Sequence, residues 1–271
     1  MQWVCFDGSF VLAGKPLFTA GNRGFKWGDG VFETARFYNN ALLLSTYHFD
    51  RLFSGLQLLH IIPRFTPEQL TKIIGSLCKK NHCTNLARVR LAVYRNDENA
   101  ASYVIEATAL PPETVQWNES GWRLGLYPYA SKSCDAFANL KSANYLPYVM
   151  AGAYAKEQGM DECLVLNSYN RICEGSKTNL FLCNGKDVST PALSEGCVAG
   201  VMRRYVIEKL KELGYAVHQT MITEEDVLAA EAVFLTNATE GLRWVRCFKD
   251  KEYGHGDLKK LYHLLFEPPY R

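Results

Sequence analysis

Apolar and polar positions alternate with period two along residues 2–13 about Asp7-Gly8, which predicts a hairpin at the start of the chain. A second hairpin is predicted over residues 31–38 and 41–44, turning at Asn39-Asn40. On its first strand Phe32, Thr34 and Arg36 share one face, and Glu33, Ala35 and Phe37 the other. Arg36, beside aromatic and small neighbours, either lines a pocket or pairs with a surface acid. The period then changes to that of a helix over 46–60, with Leu52, Leu56 and Leu59 inward and Arg51 beside them. Thr66-Pro67-Glu68-Gln69 is a capping box with proline at the first helical position, opening a helix to about residue 80. Strands at 87–94 and 103–108 complete a small α/β unit.

The stretch 110–121 carries a double proline and no period, so the domain boundary is placed there: a small α/β domain over 1–112, a linker over 113–121 and a larger domain over 122–271. Beyond it the pattern predicts a strand at 123–129 and a helix after Lys141, with Leu146, Val149, Met150 and Tyr154 packed into a core. A hairpin is predicted across 162–183, and a helix over 200–213 closed by Gly214. Thr223 caps a short helix; strands follow at 232–236 and 242–248, then a helix within 253–271 that Pro268-Pro269 stops. The fold class is α+β (α/β).

With 271 residues, 48% apolar and 21% charged, the composition is that of a globular protein with a sizeable core. Thirty basic residues against 28 acidic ones give a net charge of +2, so charge makes no case for nucleic acid or an anionic membrane. No secretory leader and no run of roughly 20 apolar residues is present, and nine scattered cysteines without a C-x-x-C pair read as reduced thiols. The expected location is the cytoplasm. None of the six histidines stands in metal-ligand spacing, so no metal is expected.

Two segments concentrate the chemistry. Lys141 precedes a helix, where burial and the positive helix end disfavour a second ammonium and suit a nucleophilic amine; a solvated lysine is the alternative. Glu174 stands at a strand end in the 162–183 hairpin, either facing that lysine or exposed. The small-residue run Cys197-Val198-Ala199-Gly200 opens a helix whose free amides suit a dianion.

The runs GDGVFETARFY (28–38), YHFDRL (47–52), KSANYL (141–146), EGSKTNLF (174–181), GCVAGVMR (196–203) and TNATEG (236–241) together resemble the class IV, or fold-type IV, family of pyridoxal 5′-phosphate enzymes, which includes branched-chain and D-amino acid aminotransferases and 4-amino-4-deoxychorismate lyase. The resemblance implies a two-domain fold, a small α/β domain and a larger one with a β-barrel-like core, assembled as a homodimer. Trp3, Phe6 and Phe10 would then belong to that interface or to the core. It further implies that Lys141 forms the Schiff base with the cofactor and moves protons, and that Glu174 holds the ring nitrogen protonated. Tyr145 would touch the ring's phenolic oxygen, and the amides of Val201 and Met202, with Arg51 and Asn237, would bind the phosphate. His48, on the same helix as Arg51, reads as a packing residue. Phe32, Thr34, Arg36 and Arg95 are the substrate-binding candidates.

Within the family, the short length, Phe32, Thr34 and the Thr236-Asn237-Ala238 triplet resemble the lyases, which form 4-aminobenzoate for folate biosynthesis. The stretch after Arg95 departs from them by lacking a glycine-rich run. An aminotransferase on the same fold is the alternative. An inactive homologue is disfavoured by the retention of both Lys141 and Glu174.

Overall fold

The computed structural model describes residues 1–266, so the expected stop at Pro268-Pro269 lies outside the described residues. The described residues divide into two compact units: Met1–Thr114 with Lys141–Asn144, and Val115–Leu140 with the described residues from Tyr145 onward. The segment 141–144, which sequence reasoning assigns to the larger domain, is thus counted with the first unit.

The first unit is an antiparallel six-stranded sheet. Its strands are β1 (Trp3–Phe6), β2 (Ser9–Leu12), β3 (Gly30–Tyr38), β4 (Ala41–Leu42), β5 (Leu86–Arg95) and β6 (Ala101–Ala109), in the order β2-β1-β6-β5-β3-β4. Asp7 and Gly8 both take positive φ, at 44° and 86°, the conformation that a two-residue turn needs to match strand twist. A five-residue helix α1 (Arg23–Trp27), which buries no side chain, precedes β3. Helices α2 (Ser45–Leu58) and α3 (Pro67–Lys80) pack on the sheet, and Thr66 and Gln69 complete the expected capping box of α3. Leu52, Leu56, Leu70, Ile74, Leu77 and Ile105 are the heart of this core, each at most 2% exposed.

The second unit is built on a mixed nine-stranded sheet that curls like half a barrel. Its strands are β7 (Trp122–Lys132), β8 (Glu162–Asn167), β9 (Ile172–Gly175), β10 (Asn179–Asn184), β11 (Asp187–Pro191), β12 (Ala216–Thr220), β13 (Ala232–Asn237), β14 (Gly241–Phe248) and β15 (Lys251–Glu252). The main path runs β12-β11-β10-β13-β14-β7-β8-β9. Only β8 and β9 form the hairpin expected across 162–183; β10 turns away to pair with β11 and β13. The helices are α4 (Leu146–Glu157), α5 (Val201–Glu212), α6 (Glu224–Ala229) and α7 (Leu258–Phe266).

One expectation is overturned in α4. Leu146, Val149 and Met150, read as core, are 70%, 57% and 47% exposed, while Tyr148, Ala151 and Ala155 are buried. The helix packs through Tyr148 and two alanines, whose small side chains let its backbone approach β8, and Leu146, Val149 and Met150 are turned outward.

Candidate active site

In the second unit the site is built around Glu174, which β9 holds at 4% exposure. Its Oε1 accepts from the Tyr148 hydroxyl at 2.6 Å, from Lys132 Nζ at 2.8 Å and from the Val198 amide at 2.9 Å. Its Oε2 receives one long contact, from Asn179 Nδ2 at 3.5 Å. Burial, and then the neighbouring carboxylate, push the Tyr148 phenol far up, so it remains a donor. The Tyr148 ring packs at 4.4 Å, tilted by 32°, against Tyr145, whose hydroxyl donates to the Ser176 carbonyl at 3.2 Å.

The turn after Glu174 is clamped by a second buried acid. Glu162 Oε1 accepts from the Ser176 amide and hydroxyl at 3.0 and 2.5 Å, and Oε2 from the Thr178 hydroxyl at 3.1 Å. Burial raises the pKa of Glu162 against the pull of these donors.

Helix α5 begins without any side-chain cap. Its N-cap is Gly200, and the amides of Val201 and Met202, the first two helical residues, lie at its positive end. A Cβ at Gly200 would meet Asn179 Oδ1 at 1.9 Å, so only glycine allows Asn179 to reach from Glu174 to the Val198 carbonyl, which it does at 3.2 Å. Across the β10–β13 ladder from Asn179 stands Thr236, whose buried hydroxyl has no hydrogen-bond partner. The next residue, Asn237, spends its amide on its own turn: Nδ2 donates to Glu240 Oε2 at 2.7 Å, and Oδ1 accepts from Thr239 and Glu240.

In the first unit Lys141 lies alongside the start of β3. Its carbonyl accepts from the Phe32 amide at 2.9 Å, Ser142 bridges Val31, and its ammonium sits 4.6 Å from the centre of the Phe32 ring. Arg90 lies 4.8 Å from the same ring. The β3–β5 register pairs Phe32 with Ala92, Thr34 with Arg90 and Arg36 with Arg88, so one sheet face gathers Phe32, Thr34, Arg36, Arg88 and Arg90. Glu106 answers part of this charge, 3.7 Å from Arg90. Sequence reasoning missed Arg88 and Arg90; period two along β5 puts them together, but only the register puts them beside Thr34 and Arg36.

On the opposite face of β3, Glu33 is gripped by α2. Arg51 donates through Nε and Nη2 to its two oxygens at 2.7 and 2.6 Å, and His48 Nδ1 lies 2.6 Å from Oε2. Burial would raise the Glu33 carboxyl, but Arg51 and then His48 outweigh it and hold the pKa at about 2. His48, expected to pack, is a hydrogen-bonding partner of Glu33 as well as a buried ring. Arg95 is the substrate candidate most tied to structure. It donates to Asp29 at 3.0 Å, to the carbonyls of Leu59 and His60, and to Asn99, beside a cleft of about 400 Å³.

No group of three or more His, Cys, Asp or Glu among the described residues could hold a metal ion, and no helix among them is long and apolar enough to cross a membrane.

The family model described as "Amino-transferase class IV" matches residues 30–247. An aminodeoxychorismate lyase of Bacillus subtilis is 26% identical over 87% of this chain and 83% of its own length. A D-alanine aminotransferase of Listeria monocytogenes is also 26% identical, over 80% of this chain and 78% of its own. The branched-chain aminotransferase of the archaeon Thermoproteus uzoniensis, solved with norvaline, superposes with a TM-score of 0.85 at 23% identity, covering 96% of this chain and 92% of its own.

Proposed function

Because the chain belongs to class IV of the aminotransferases, a family of pyridoxal 5′-phosphate enzymes, we propose that it is a lyase converting 4-amino-4-deoxychorismate to 4-aminobenzoate and pyruvate. The observation that carries the substrate is the β3–β5 face. Three arginines beside Phe32 and Thr34 suit an aromatic-sized ring bearing two carboxylates better than a branched aliphatic side chain.

The residues fit the cofactor. Glu174 offers a buried carboxylate oxygen with one long contact, α5 an uncapped positive end, and Thr236 a buried hydroxyl without a partner. Bound pyridoxal phosphate supplies an electron sink for the pair left on a substrate carbon when its proton departs. In this reading Glu174 keeps the ring nitrogen protonated, and Tyr145 borders the ring. The Val201 and Met202 amides, with Arg51 oriented by Glu33, hold the phosphate. Asn237 would join them by releasing Glu240. Lys141 provides the anchoring amine and carries the proton from the carbon bearing the substrate's nitrogen. The enolpyruvyl oxygen then leaves with the electron pair of its bond to the ring, the ring becomes aromatic, and the released enolate takes up one proton, balancing the one that Lys141 removed, to become pyruvate.

An aminotransferase is the second reading, favoured by the D-alanine aminotransferase relative of equal identity; the arginine face would then receive a 2-oxo diacid. Supplying 4-amino-4-deoxychorismate, and separately D- or branched-chain amino acids with 2-oxoglutarate, tests the choice. Pyruvate with 4-aminobenzoate from the first is the expected result, and glutamate from the second alone reverses the order. The enzyme is proposed to work as a homodimer, a reading supported by the exposed apolar side chains of α4.

A further inference from the structure

Glu174 carries its hydrogen bonds on one side. Oε1 accepts from three donors within 2.9 Å, and Oε2 from one at 3.5 Å. Such loading draws negative charge toward Oε1 and leaves Oε2 as the oxygen open to a further partner. Of the three donors, the Val198 amide is backbone, Lys132 is a cation and Tyr148 is a neutral hydroxyl on the buried side of α4. The other titratable groups around this carboxylate are Tyr145 at the N-cap of α4, Cys173 in β9 with its sulfur 3.8 Å from Oε1, Cys197, and Arg203 on α5.

We propose that Tyr148 is a positioning residue that tunes the enzyme: by donating to Oε1, its hydroxyl sets how tightly Glu174 holds the proton it shares with the cofactor's ring nitrogen. This rests on the reading of Glu174 given above. The consequence has a definite sign. Removing a donor from an ionised carboxylate raises its proton affinity, so the ring nitrogen should keep its proton to higher pH. Tyr148→Phe deletes one oxygen and keeps the ring that packs against Tyr145, and Lys132 and Val198 still hold Oε1 in place.

The test loads the full-length protein with cofactor labelled with ¹⁵N in the ring and follows that nitrogen by NMR as a function of pH. The expected result for Tyr148→Phe is an upward move of the deprotonation midpoint by about one unit, the size of one hydrogen bond to a charged group. An unmoved or lowered midpoint overturns the proposal. Should Tyr148→Phe fail to fold, fluorotyrosine at position 148 decides, since it keeps the ring and makes the hydroxyl a stronger donor; a downward move of the midpoint supports the proposal and no move overturns it. Glu174→Gln separates the two levels. If it leaves the ring nitrogen as protonated as in the parent protein, the Glu174 assignment itself fails, whatever Tyr148 does.

Discussion

Glu33 shows how a single buried charge is made tolerable. Its carboxylate is forked by Arg51 and touched by His48 on the core side of β3, and its pKa falls from 4.5 to about 2. The sign follows from linkage: a group depressed on folding contributes stability above its unfolded pKa and loses it as pH falls through the folded one. The contribution is on the order of 3 kcal/mol, present above pH about 4.5 and gone below pH about 2. Glu33→Gln should therefore lower the thermal midpoint at pH 7 and flatten the loss of stability between pH 4.5 and 2; an unchanged acid profile counts against the pairing. Because the same change releases Arg51, cofactor affinity should fall with it. Lys141 is the complementary case. Lys141→Ala should yield a folded protein that turns over nothing, since the lost group is an amine at the edge of β3, and the backbone bond of residue 141 to Phe32 and the bridge from Ser142 to Val31 stay. Borohydride trapping and peptide mapping check it, and a label at another lysine would sink the assignment.

At the scale of elements, the sequence told most where one signal was enough. The Asp7-Gly8 turn and the α3 capping box are local chemistry, and both appear as read. What stayed hidden depended on neighbours distant in the chain. Strand β12 has the sequence AVHQT, with no alternation to announce it, and exists because it lies parallel to β11. Helix α1 buries nothing, so no apolar period marked it. The arginine face was half legible: Arg36 was seen, but Arg88 and Arg90 join it only through the β3–β5 register. That face carries the substrate proposal, so Arg90→Ala should raise KM for 4-amino-4-deoxychorismate by 10-fold or more, as expected for one lost carboxylate contact, with cofactor affinity unchanged. An unchanged KM would move substrate recognition elsewhere. Gly200 makes a parallel case at the start of α5. Its substitution by alanine drives Cβ into Asn179, which must move or break its link to Val198. The expected cost is about 1–3 kcal/mol of stability, read from denaturant unfolding, with weaker cofactor binding as the second readout.

For the whole molecule, α4 decides what the chain needs from outside itself. Its helical period was legible and its facing was not, because Leu146, Val149 and Met150 look like core positions until the small side chains of Ala151 and Ala155 are seen to take that place. Burying Ala instead of Leu forgoes roughly 1–2 kcal/mol per site, an arrangement that makes sense if the large side chains are buried by something else. The homodimer proposed above would satisfy that demand, because an isologous contact would set α4 against its own counterpart and cover the same residues twice. Light scattering should therefore give twice the chain mass at micromolar concentration. Leu146→Glu with Val149→Glu should shift it toward the monomer, and thermal stability measured on the monomer should change little, since both side chains are solvent-exposed within one chain. A parent protein that stays monomeric at all concentrations would leave the apolar face of α4 without its proposed occupant. If the double variant remains dimeric, the interface lies on another surface.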